Sequence, residues 1–175
     1  MKTLSPSLEH VASPYPFALS FWETLALHES NKIELEFQAD RLLASIEAWL
    51  YLKQQGVLTV NGILAIHAVM MAPTNTIEEH DKGRWRRHEI VIAGHRGVPH
   101  HKLIEAMDAW LVEHGDAQTI PAIQAAHVAY EKIHPFADGN GRTGRMIMNW
   151  QLWRVGQPIA VILAERKREY YGWFN

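Results

Sequence analysis

The 175-residue chain contains no cysteine, which excludes disulfides, thiolate metal sites and a thiol nucleophile. It also lacks an excess of either charge. Seventeen basic against nineteen acidic residues give a net charge of −2, so no field spans the surface to hold a nucleic-acid backbone or an anionic bilayer. No apolar run approaches the ~18 residues that a membrane span needs. The first sixteen residues carry one Lys and no apolar stretch, which is not the pattern of a secretory signal. These absences predict a soluble, cytoplasmic protein with neither membrane nor nucleic acid as partner. What is present is ordinary for a globule: 47% apolar and 21% charged residues, in a length that suits a single domain over 1–175.

Along the chain, residues 1–17, with Ser5, Pro6, Ser13, Pro14 and Pro16, predict an extended arm. Residues 18–55 predict two helices. The first runs from Ala18 to about His28; Ser30 and Asn31 then cap a second, whose apolar residues Ile33, Phe37, Leu42, Ile46, Trp49 and Leu50 recur at helical spacing up to Gln55 and Gly56. Asn61 to Met71 predicts a buried helix closed by Pro73. Between 84 and 97 the character changes: Ile90, Val91 and Ile92, followed by Gly94 and Gly97, predict a short strand or hairpin. Further helices are predicted over Pro99–Glu113, from Thr119 to Ile133, over Arg142–Val155 and over Glu165–Trp173. The fold class is mainly α with one small β element.

One segment between two predicted helices carries the chemistry: His134-Pro135-Phe136-Ala137-Asp138-Gly139-Asn140-Gly141-Arg142-Thr143-Gly144-Arg145. Gly139 and Gly141 permit backbone angles that other residues resist, so successive amides can form an anion nest. The nest opens a helix, whose N-terminus adds partial positive charge. Arg142 and Arg145 are three apart and share a helical face, from which both can reach a phosphate chain. Two arginines in a first turn oppose the helix dipole unless an anion or a carboxylate sits there. Asp138 either caps the turn or offers a hard oxygen to a phosphate-bound Mg²⁺, and the two roles are compatible. His134 is the one natural general base of the segment. Together the parts suit phosphoryl or nucleotidyl transfer. Gly139-x-Gly141-x-x-Gly144 also matches the dinucleotide-binding fingerprint, but that motif needs a strand before it, and the run Ile123 to Tyr130 reads as helix.

His134, Phe136, Asp138, Gly139, Asn140, Gly141, Arg142 and Arg145 resemble the Fic family signature His-x-Phe-x-Asp/Glu-Gly-Asn-Gly-Arg-x-x-Arg, with every fixed position filled. The stretch Arg84 to His95 looks like the family's flap, and Pro158 to Tyr171 like its usual ending. The resemblance implies a Fic-type helical bundle with a β-hairpin flap, acting as a protein adenylyltransferase that moves AMP from Mg-ATP to a Ser, Thr or Tyr hydroxyl of a target protein. It implies His134 as catalytic base and Asp138 as the Mg²⁺ ligand. Gly139, Asn140 and Gly141 would lie on the phosphates, Arg142 and Arg145 on the developing charge, and Ile90, Val91 and Ile92 on a target strand paired to the flap.

Ser30-Asn31-Lys32-Ile33-Glu34-Leu35 resembles the family's inhibitory motif, Ser/Thr-x-x-x-Glu-Gly/Asn, with Leu35 departing from the last position. That likeness implies a Glu34 that pairs with Arg145 and keeps the ATP γ-phosphate from its productive pose. In some relatives the same glutamate serves AMP removal. Transfer of another phosphate-containing group, a non-catalytic strand-binding module and a homodimer that occludes the site all stay open at this point.

Overall fold

The computed structural model describes residues 19–92 and 95–174; the arm expected over 1–17 lies outside them. Ser20 starts the first helix, α1 (Phe21–Ile33), through a capping box: its hydroxyl accepts the Glu23 N–H, and the Glu23 carboxylate accepts the Ser20 N–H. The same carboxylate then reaches into the core, where it accepts from Trp49 Nε1 at 2.9 Å and Lys53 Nζ at 2.8 Å. A buried acid is tolerable only when its partners are supplied, and here they fasten α1 to α2 (Ala39–Lys53).

The expected helix cap at Ser30 and Asn31 does not form. Both residues stay inside the last turns of α1 and are buried, because each has a distant partner. The Ser30 hydroxyl accepts from Arg145, and Asn31 Oδ1 accepts from Ser45 on α2. The chain breaks after Ile33 instead. The N–H groups of Glu34 and Glu36 both donate to the Asn31 carbonyl, and Leu35 turns into the left-handed region at φ 62°.

Helix α3 (Val60–Met71) is capped by Thr59, whose hydroxyl accepts the Gly62 N–H. Helices α4 (Leu103–His114) and α5 (Ile120–Ile133) follow, joined across the core by Trp110 Nε1 donating to the Ala126 carbonyl at 2.9 Å. Helix α6 (Asn140–Arg154) runs through the middle of the bundle. Twelve of its fifteen residues are buried, and α1, α2, α3 and α5 pack around it. A central helix is normally apolar on every side. This one brings Asn140, Arg142, Thr143 and Arg145 inside, which marks its first turns as the place where packing has given way to function.

The β element is smaller than the 84–97 stretch expected for it. Val91–Ile92 (β1) pairs antiparallel with His95–Arg96 (β2), Val91 opposite Arg96 and Ile92 opposite His95; residues 93–94 lie outside the described residues. The preceding stretch is drawn onto the bundle rather than into a ladder, since the Arg86 N–H donates to the Pro135 carbonyl at 2.9 Å. The last expected helix is also divided, into a 3₁₀ turn at Ala164–Arg166, α7 (Lys167–Tyr171) and a 3₁₀ turn at Gly172–Phe174. The Glu29 carboxylate accepts the Ala164 N–H and anchors the first of these. Among the described residues no helix is long and apolar enough to cross a membrane.

Candidate active site

The site is built on the loop from α5 to α6. His134 closes α5 in the left-handed region, at φ 52°, with its N–H on the Tyr130 carbonyl. A non-glycine residue held there signals a constrained and often functional position. The turn folds the imidazole back so that Nδ1 lies 3.2 Å from the Glu131 carbonyl. A carbonyl only accepts, so Nδ1 carries the hydrogen and Nε2 keeps the lone pair a base needs. Burial pulls the His134 pKa below its ordinary value, so the ring is neutral at neutral pH.

Asn140 sets the shape of the loop. Its Oδ1 accepts the Phe136 N–H at 2.8 Å and its Nδ2 donates to the Phe136 carbonyl at 2.9 Å. The side chain is therefore engaged with the loop, and what α6 offers an anion here is backbone N–H. Gly139 turns the chain at φ 75°, and a Cβ on it would lie 2.7 Å from Met71 Sδ. Gly141, expected to supply unusual dihedrals, sits in ordinary helix; its need is space. A Cβ there would lie 2.6 Å from Glu34 Oε1 and 2.8 Å from Arg145 Nη1.

Two residues that the motif does not contain hold the loop from outside. His67, fully buried, accepts the Gly83 N–H at Nδ1 (2.9 Å), donates from Nε2 to the Asp138 carbonyl (3.0 Å) and stacks on Phe136 with centroids 3.7 Å apart. Burial pushes its pKa down to about 4, so it works as a neutral spacer. Arg86, 2% exposed, donates to the carbonyls of His134, His88 and Val98, and so joins the base of the β element to the loop. No periodicity or spacing flags either residue, since each reaches the loop through a backbone carbonyl far away in the chain, His134 for Arg86 and Asp138 for His67.

Asp138 accepts the Thr76 hydroxyl and the Gly139 N–H, and its Oδ2 lies 3.6 Å from Arg142 Nη2. Its side chain is 39% exposed, which leaves carboxylate oxygen accessible at the mouth of the nest. One carboxylate beside a phosphate site is the donor set Mg²⁺ commonly uses, with phosphate and water completing the shell.

The two arginines differ. Arg145 is firmly held: Nε donates to the Ser30 hydroxyl at 2.8 Å, and Nη2 to the Ser30 carbonyl at 3.1 Å and to Glu34 Oε1 at 2.7 Å. Arg142 is loosely held. Its nearest carboxylate oxygens, on Asp138 and Glu36, lie 3.6 and 3.9 Å away, and its buried Nε has no hydrogen-bond partner. Both are 3% exposed. The Glu36 contact, braced by Arg41 Nε at 3.1 Å, has no counterpart in the motif reading.

The structure thus gathers His134, Asp138, Gly139, Asn140, Gly141, Arg142, Arg145, Ser30 and Glu34 at the start of α6. The expected flap residues sit apart: Ile90 is half-buried, Val91 is exposed, and Ile92 is known by its strand pairing. Nearby, exposed Glu89 accepts from the backbone and ring of His100 and so caps the turn before α4.

Residues 57–152 match the Fic/DOC family. A Drosophila persimilis protein named Protein adenylyltransferase Fic is 33% identical over 127 residues, which is 69% of this chain and 24% of that protein. A Nematostella vectensis protein of the same name is 31% identical over 144 residues, 78% of this chain and 32% of that one. The crystal structure of a Fic-domain-containing signaling protein from Bacteroides thetaiotaomicron has a TM-score of 0.72 at 20% identity, covering 85% of this chain and 69% of that one, which is a likeness of fold. The chain spans only about a quarter to a third of the two curated relatives. The family match, however, takes in more than half of the chain, together with α3 and the loop between α5 and α6, and by it the chain belongs to the Fic/DOC family.

Proposed function

We propose that the chain is a protein adenylyltransferase that moves AMP from Mg-ATP to a hydroxyl side chain of a target protein, and that Glu34 restrains it. The observation that carries this reading is the start of α6. Two buried guanidiniums stand there against the helix dipole, an arrangement that costs free energy until anions occupy it. One already holds a carboxylate at 2.7 Å, and the other has a buried N–H without a partner.

In the transfer, the target's oxygen attacks the α-phosphorus, the bond to the bridging oxygen breaks, and pyrophosphate leaves. Nε2 of His134 accepts the hydroxyl proton, a role typically worth ~10²–10⁴ in rate. The α6 N–H groups and Arg142 face the phosphate chain, and Arg145 takes the terminal phosphate once Glu34 has left it. These are pre-placed charges of the kind that lower phosphoryl-transfer barriers. Asp138 would hold Mg²⁺, which supplies charge neutralisation to the phosphates. The exposed edge at Val91 supports a target bound as an added strand.

The test uses ATP labelled at either the α- or the γ-phosphate, with the Glu34→Gly chain and candidate target proteins. Label arriving in protein from the α position alone is the expected result. Transfer of the γ label instead would replace this reading with phosphoryl transfer.

A further inference from the structure

Glu131 belongs to no motif, yet its carboxylate is aimed at the same imidazole. It stands in the last turn of α5, and its Oε2 lies 3.9 Å from His134 Nδ1. Its Oε1 is buried and has no hydrogen-bond partner. A Cβ on Gly144 would lie 2.4 Å from that oxygen, so α6 lacks a side chain at the point where the carboxyl enters. The charged or titratable groups that face it are Glu34 from the turn after α1, Arg145 from α6, Tyr170 and Tyr171 from α7, Tyr130 on its own helix, and His134. Burial is the strongest influence on its pKa and Glu34 adds to it, while Arg145 opposes; the result is pushed up to about 7.

A carboxyl oxygen buried without a partner weakens a fold. Its place within reach of a catalytic imidazole gives it a use. The Glu131 backbone carbonyl alone sets the His134 tautomer, and any residue could supply a carbonyl. Only the side chain can supply charge. We propose that Glu131 is a positioning residue for His134, its ionised carboxylate facing the Nδ1 edge and balancing the imidazolium that forms when Nε2 takes the target's proton. This rests on the proposed transfer reaction for its purpose, and on geometry for its existence.

A carboxylate that balances the imidazolium makes the two groups titrate as a coupled pair, so on this proposal the side chain leaves a signature that a packing role lacks. Two measurements on the full chain test it, Glu131→Gln being close to the native side chain in shape. The first follows the His134 ring resonances by NMR against pH in the resting protein, where no transfer is needed. Two steps are expected, one near pH 7 from Glu131 and a lower one from the ring itself, and Glu131→Gln should keep only the lower. The second places Glu131→Gln in the Glu34→Gly background. There kcat should fall roughly tenfold to a hundredfold, KM for ATP should stay within about twofold, and the acid limb, displaced below pH 7 because Glu34 no longer raises Glu131, should vanish. Glu131→Asp should keep that limb. A His134 titration that is unmoved by Glu131→Gln, or a kcat profile that keeps its limb, would overturn the assignment. Absence of AMP transfer from the Glu34→Gly chain would instead refute the proposed reaction, and the titration would still decide whether Glu131 is coupled to His134.

Discussion

Two segments face each other across Arg145, and they are built differently. The loop into α6 is held from every side: Asn140 clamps Phe136, His67 holds the Asp138 carbonyl, and Arg86 holds the His134 carbonyl. The turn from α1 to α2 opposite it has far less support. Leu35 sits there at φ 62° and is 69% exposed, Phe37 is exposed as well, and the grip of the turn on α6 is two carboxylates, Glu34 and Glu36. Stiffness therefore lies on the side that needs fixed geometry for chemistry. The side that covers the arginines is the one that yields at low cost. On the proposed function, a brake arranged this way would be released by moving its own turn, with the proposed reacting groups already in place.

Changes on each side separate the two. His134→Ala should lower transfer in the Glu34→Gly background by ~10²–10⁴ with ATP affinity unchanged, because the base is lost and the α6 N–H groups and arginines remain. Label transfer and calorimetric titration check the two halves, and a parallel loss of ATP binding would mean that the ring has a binding role instead. Asn140→Ala should break the stiff side. It strips the partners from the buried Phe136 N–H and carbonyl, at ~1–3 kcal/mol for each group left unsatisfied. A lower urea midpoint with reduced activity is expected; an unchanged midpoint would show that other contacts suffice to hold the loop. Leu35→Gly should sharpen the yielding side. Glycine takes the left-handed region without the ~1 kcal/mol that a Cβ costs there, so the turn tightens. The chain with Glu34 in place should then lose roughly fivefold in activity while melting slightly higher. Higher activity would show that the turn opens through Leu35 itself.

How much of this was legible in the sequence follows from how far each interaction reaches. The mainly α class and the positions of α3, α5 and α6 come from local periodicity and caps such as Thr119. The loop at 134–145 was legible as a unit because the residues it gathers at the start of α6 are contiguous. Ser30 and Asn31 misled as a helix cap because their local preference lost to Arg145 and Ser45, partners in other helices. Arg86 and His67 were invisible, since they act on carbonyls 48 and 71 residues away. Gly141 was legible as important but for the wrong reason: what it grants is room for the Glu34–Arg145 pair. Leu35, which departs from the Gly or Asn of the motif, shows why those residues suit the position, because the backbone there is left-handed.

Glu34, paired with Arg145 at 2.7 Å, is proposed to hold back a site that is otherwise assembled. The most direct measurement is intact mass after incubation with Mg-ATP, for the unaltered chain, Glu34→Gly, and Glu34→Gly with His134→Ala, with the chain serving as its own acceptor. A charge-assisted hydrogen bond of ~1.5–3 kcal/mol corresponds to roughly ten- to hundredfold in occupancy of Arg145 by phosphate. One added AMP is expected in Glu34→Gly, and little or none in the other two. Equal modification of the unaltered chain and Glu34→Gly, or modification that survives His134→Ala, would contradict it.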